Sequence, residues 1–182
     1  MKRFQTFFKG MLCAIICSTL LSIQAGAQKG EKLSDAEIAS VAVVANQVDI
    51  DAARLAQQKS KDAAILDFAK TMISDHQSVI DQASALVKRL GVTPQDNAVS
   101  KQLITGAEKA MKGLKSKSGS AFNRAYVDNE VAYHQAVIST VEGKLIPEAT
   151  NAELKDFLQS ALPVLRTHLE HAQMVQKNIA AK

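Results

Sequence analysis

The chain has 182 residues, 47% of them hydrophobic, with 22 Lys and Arg against 18 Asp and Glu for a formal net charge of +4. Three of the cations and none of the anions fall in residues 1–27, so residues 28–182 carry 19 against 18; with no Trp and two Tyr, they lack the basic field and stacking surfaces of a nucleic-acid binder. Both cysteines, Cys13 and Cys17, lie in that first stretch, which excludes disulfides, thiolate catalysis and thiolate metal sites from the remainder.

The N-terminus reads as a secretory signal peptide over residues 1–27. Lys2, Arg3 and Lys9 form a positive n-region, Met11 to Ser22 a short apolar h-region, and Ala25-Gly26-Ala27 a small-residue cleavage site. The apolar run falls short of the roughly 20 residues that a membrane span needs. Leu12 and Ile16 stand before the cysteines where a lipoprotein signal has a small residue. Export to the periplasm is therefore expected, with no transmembrane segment after cleavage. Residues 28–182 are long enough for one domain with a real core, and no low-complexity linker or internal repeat divides them.

A first helix should begin at Ser34, because Ser34-Asp35-Ala36-Glu37 has the spacing of a capping box. Its apolar stripe runs Ile38, Val41, Ala45, Val48, Ala52 and Leu55, and the polar run Gln57 to Asp62 predicts a turn. The second helix ends at Gly91 after Lys88 and Arg89, a glycine stop behind basic residues. Its seam of Ile65, Ala69, Met72, His76, Val79, Ala83, Leu86 and Leu90 steps by four and three without a fault, as in a bundle. A loop with Pro94 precedes a shorter helix over residues 98–114, and Lys115 to Ser120 reads as a flexible joint. The third long helix covers about 121–145, with a break around Pro147. The fourth covers about 151–180 along Leu158, Ala161, Leu165, His168, Ala172, Val175 and Ile179; Pro163 inside it costs one backbone hydrogen bond and predicts a kink. The fold class is all-α: an up-and-down four-helix bundle with a short extra helix between the second and third long helices.

All four histidines fall in the long helices. His76 and His168 occupy seam positions where Leu or Ala would pack better, and His134 follows Glu130 by one turn, so both point the same way. Asp49 lies one residue off the seam of the first helix. Each long helix thus offers a ligand near its middle, at levels that differ by roughly 6–8 Å when counted from the turns. Buried without partners, such groups would cost about 1–3 kcal/mol each. Two readings satisfy them: a divalent transition metal (Zn, Fe, Cu or Mn) held by Asp49, His76, Glu130, His134 and His168, or a hydrogen-bonded His–carboxylate network that fixes helix register. Asp75, beside His76, is placed to support a ligand from behind. His171 drifts to the flank of its stripe and is expected towards solvent. Tyr126 and Tyr133 are read as bundle packing, and the lysines from Lys109 to Lys117 as a solvated face.

At these residues the chain resembles a bacterial domain-of-unknown-function family, number 4142, labelled "predicted outer membrane protein" and placed among ferritin-like bundles. The resemblance rests on Asn46-Gln47-Val48-Asp49-Ile50-Asp51, Phe68-Ala69-Lys70-Thr71-Met72 leading to Asp75-His76, Phe122-Asn123-Arg124-Ala125-Tyr126 leading to His134, and Leu162-Pro163 leading to His168-Leu169 and Ala172. It spans about residues 34–178 and implies a ferritin-like envelope protein without an assigned activity. The family pattern has Glu where Asp49 stands, a swap that keeps a ligand, and Asp where Asn123 stands, a swap that removes a carboxylate. Di-iron ferritin-like enzymes use Glu-x-x-His pairs; here Glu130 and His134 are four apart, which argues against that chemistry.

No Ser–His–Asp order, nucleophile elbow or phosphate loop is visible, so hydrolytic catalysis and an organic cofactor are not expected. Two functions remain: an exported metal-binding bundle, or a non-catalytic envelope stress or interaction module whose histidines are structural. An outer-membrane association or an envelope protein partner fits both, and the sequence leaves the oligomeric state open.

Overall fold

The computed structural model describes residues 32–181, so the expected signal peptide, with its cleavage site and both cysteines, lies outside the described residues. Those described are helical and joined by short connections. In chain order they form α1 (Asp35–Lys59), α2 (Ala63–Leu90), α3 (Ala98–Lys115), α4 (Gly119–Thr140), a π-helical turn (Val141–Leu145), a three-residue α5 (Ile146–Glu148) and α6 (Ala152–Ala180).

The ends of the helices follow local chemistry. The Ser34 hydroxyl accepts from the Glu37 N–H while the Glu37 carboxylate accepts from the Ser34 N–H, completing the expected capping box. Asp62, Asn97 and Asn151 cap α2, α3 and α6 with side-chain oxygens. Gly91 stops α2 in the left-handed region at φ 65°, which a side chain would disfavour. The break expected at Pro147 takes a different form. The helix does not end there but widens into the π turn, in which the Ile146 N–H bonds back to the Val141 carbonyl. Pro147 follows directly on the π turn, so the missing N–H falls where the regular hydrogen-bond ladder is already interrupted. Pro163 lies within α6 on the exposed side, so the carbonyl it strands at exposed Gln159 meets water. α4 starts at Gly119, two residues earlier than the joint suggested.

Contacts between helix ends fix the topology. α1 and α2 are antiparallel across a three-residue turn, and α2 and α6 are antiparallel because Asp75 meets His168 while Arg89 meets Glu153. α4 runs against α1: Ser60 bonds Asn123 at one end, and Leu33 bonds Glu148 at the other. α3 carries the chain back alongside α1, from the Asn97–Glu37 contact to the Lys59–Leu114 contact, so the five principal helices alternate in direction. The four long helices enclose the core, and α3 lies outside against α1 and α4. Only Ser100 and Leu114 of α3 are buried, near its two ends.

The core has two apolar halves. One gathers Phe68, Met72, Phe122, Tyr126 and Ala172; the other, towards the start of α1, gathers Ile38, Val41, Leu86, Leu145, Leu154 and Leu158. Burying each large apolar side chain stabilises the fold by about 1.5–3 kcal/mol. Between the halves lies a layer of buried polar side chains.

Asp35 joins the two ends of this half, accepting from the Thr150 hydroxyl and from the backbone N–H groups of Thr150 and Asn151, just before α6. Asp35→Ala should lower the unfolding free energy by about 1–2 kcal/mol, read from urea denaturation.

Candidate metal centre

The polar layer contains all five residues singled out from the sequence. Asp49 from α1, His76 from α2, Glu130 and His134 from α4 and His168 from α6 are buried, none more than 3% exposed. One ring nitrogen from each of His76, His134 and His168 lies within 4.8 Å of the others, and ligand atoms of Asp49, Glu130 and His134 form a second such group. His134 belongs to both. Asp49 Oδ2 lies 3.5 Å from His76 Nε2 and 3.6 Å from His134 Nε2. The mismatch in level counted from the turns is absorbed by stagger. α4 begins about one turn beyond the end of α1, as the Ser60–Asn123 bond and Lys59 over the Phe122 ring show, and this brings His134 to the height of Asp49.

Each imidazole is held from behind by an acceptor. The Asn46 amide donates to the Ala42 carbonyl, which turns its Oδ1 to His76 Nδ1 at 2.7 Å. The Glu130 carbonyl oxygen sits 3.0 Å from His134 Nδ1, and the Asp75 carboxylate 3.0 Å from His168 Nε2. An acceptor requires the proton on the nitrogen that faces it, so the tautomers follow from the network. His76 Nε2, His134 Nε2 and His168 Nδ1 are left as lone pairs, and all three lack a partner. Of the seven buried side-chain atoms without a partner among the described residues, six belong to the five-residue cluster and the seventh is the Tyr126 hydroxyl. A concentration of orphaned acceptors in one layer is what a cation would relieve.

Electrostatics point the same way. Burial pushes the Asp49 carboxyl up to about 7 and Glu130 well above its ordinary value, the Asp49 charge adding to the effect on Glu130. Burial pulls His76 down to about 3, with the neighbouring histidines contributing, and His134 down to about 4. It lowers His168 as well, against the pull of Asp75. A hydrogen bond between the two carboxyls holds the proton on Glu130 and lowers Asp49 part of the way back.

His171 stands apart. It is half-buried with its ring edge against Phe68 at 5.0 Å between centroids, so it packs rather than joining the centre. Tyr126 stacks on Phe122, and the half-buried Tyr133 donates to the Ala45 carbonyl at 2.7 Å. Asn123, the position of the lost carboxylate, accepts from the Ser60 hydroxyl at 2.8 Å and is remote from the histidines. Asn46 is the residue whose role sequence reasoning missed; its place three before Asp49, on the same side of α1, was the one available signal.

Fold and site together define an all-helical bundle with a buried histidine–carboxylate centre. The chain belongs to the family described as Domain of unknown function (DUF4142), whose model matches residues 21–175. Among solved structures it is similar to CopM in the Cu(II)-bound form, at a TM-score of 0.60 and 13% identity over 81% of this chain and 99% of that one, a likeness of fold. No curated protein matches the sequence.

A pH dependence follows. In metal-free protein the raised Asp49 value is a cost that grows as pH climbs from the unfolded carboxylate's 3.8 towards about 7, because the unfolded state ionises first. Asp49→Asn removes that ionisation. Its stability relative to the parent should rise between pH 4 and pH 7 and level off above, as followed by urea denaturation of chelator-treated protein.

Proposed function

We propose that the protein is exported to the cell envelope, where its bundle holds one divalent transition-metal ion. The export reading rests on the n-region, h-region and cleavage site of residues 1–27. Among the described residues, no helix is long and apolar enough to cross a membrane. His76, His134, His168 and Asp49 would be the ligands, with Glu130 beside His134 as a further carboxylate. The observation that carries this reading is the matched set of imidazoles, each with one nitrogen tied to an acceptor and the other unpartnered inside the cluster. That arrangement orients metal-ligating histidines and raises their basicity.

Copper(II) comes first among the candidates, ahead of Zn, Fe and Mn. Sites of nitrogen and oxygen donors bind it most tightly of the divalent first-row ions, and CopM, which has a similar fold, is solved with it. The alternative, a structural network in an envelope interaction module, needs direct hydrogen bonds between histidine and carboxylate inside the layer. The separations of 3.5 and 3.6 Å from Asp49 are too long for strong ones, and the side chain Asp49 does hydrogen-bond is Glu130 rather than a histidine. The role proposed is holding the ion.

Elemental analysis of protein made with its native N-terminus should find about one ion per chain, and saturating copper or zinc should raise the unfolding free energy by about 4 kcal/mol at a thousandfold excess over Kd. His134→Ala, which removes the residue shared by both ligand groups, should abolish uptake. Metal-free protein of full stability that shows no shift with Cu, Zn, Fe or Mn would sink the reading. Asn46→Ala and Asp75→Ala should keep the stoichiometry but weaken binding by about 10–100-fold in competition titrations. Because Asp49 holds its proton up to about pH 7, calorimetry in buffers of different ionisation enthalpy should find about one more proton released per ion at pH 6 than at pH 8.

A further inference from the structure

The two halves of the core are not equally full. On the side towards the start of α1, the interior holds a cavity of about 120 Å³, and His76, His134 and His168 form one end of it. Its other walls are largely aliphatic and aromatic, among them Val41, Val137, Phe157, Leu158 and Val164. Asp49 and Glu130 are not part of the lining, so the carboxylates close the centre on one side while the imidazoles border open space on the other.

The polar groups on the cavity wall are already engaged elsewhere. The Asn46 amide bonds Ala42 and His76, the Tyr133 hydroxyl donates to the Ala45 carbonyl, and the Thr140 hydroxyl donates to the Ala136 carbonyl. The unpartnered nitrogens of the three histidines remain. Water needs two to four polar partners, which only the histidine end offers; the aliphatic remainder of the space resembles the dry apolar cavities of about 150 Å³ that take up benzene or xenon. The π-helical turn contributes Val141 and Leu145 to the walls. Such turns are frequent at functional sites.

We propose that this cavity is a ligand pocket for a small, uncharged, largely apolar molecule of about benzene's size, whose single lone-pair donor atom completes the coordination of the ion held by the histidines. The donor end rests on the metal reading above; the apolar body does not. Shape and wall chemistry select against anions and against molecules with several polar groups, since nothing on the wall is free to receive them.

Benzene and pyridine share a shape and differ by one donor atom, so the pair separates the two parts of the proposal. The full chain, metal-free and copper-loaded, is titrated with each at pH 8, where pyridine is neutral. Benzene should bind both forms similarly, and pyridine should bind the loaded form at least about tenfold more tightly than the metal-free form. Val137→Phe, which places a ring in the cavity, should remove benzene binding. Should that variant fail to fold, Val164→Phe fills the space from its exposed rim, and xenon density among Val137, Leu158 and Val164 in a pressurised crystal reports on the unaltered protein. Absence of both benzene binding and xenon overturns the pocket. Benzene binding without a gain for pyridine on loading overturns the coordinating end. Benzene binding with no uptake of copper or of zinc, iron or manganese overturns the metal reading and the coordinating end with it, and leaves the apolar pocket standing.

Discussion

The structure depends on placing five ionisable side chains in one layer between two apolar cores. Asp49, His76, Glu130, His134 and His168 come from all four long helices, so none of these helices can slide or rotate without exposing the layer or separating its members. Desolvation is the dominant force on each of them, lifting the acids and lowering the bases. A bundle built for stability alone would fill these positions with Leu and Ala. This one keeps groups whose burial costs free energy unless a partner satisfies them.

The supports behind the layer turn a cluster into a site. Asn46, the Glu130 carbonyl and Asp75 come from three different helices, yet each does the same thing: it fixes one ring nitrogen as a donor and leaves the other as a lone pair. Asp75 differs in being partly exposed, which places one end of the His168 hydrogen bond in reach of solvent. The interior is asymmetric as well, with carboxylates towards the packed half and imidazoles towards the hollow one.

Much of this was legible in the sequence. The capping box at Ser34, the faultless seam of α2 and the stop at Gly91 are local signals that tertiary packing left unchanged. Histidines in an apolar seam are conspicuous because burial there is costly, which marks His76 and His168, and the one-turn spacing to Glu130 marks His134. Asn46 was less visible, since an asparagine on a helix flank is ordinary until a neighbouring helix supplies the ring it must face. The π turn has no sequence signal of its own, because a proline signals only that regular helix cannot continue, not how the chain adjusts. The cavity had no sequence signal: Val137, Leu158 and Val164 look like any other core residues, and the space between them is set by how four helices meet.

The crossover helix α3 adds a further consequence. Its burial is confined to Ser100 and Leu114 near its two ends, while the stretch between them rests over the cleft of α1 and α4 with its large side chains partly exposed. A segment with so few buried anchors opens at a lower free energy than the helices beneath it. Local opening of α3 therefore leaves the five-residue polar layer, which comes wholly from the four long helices, in place.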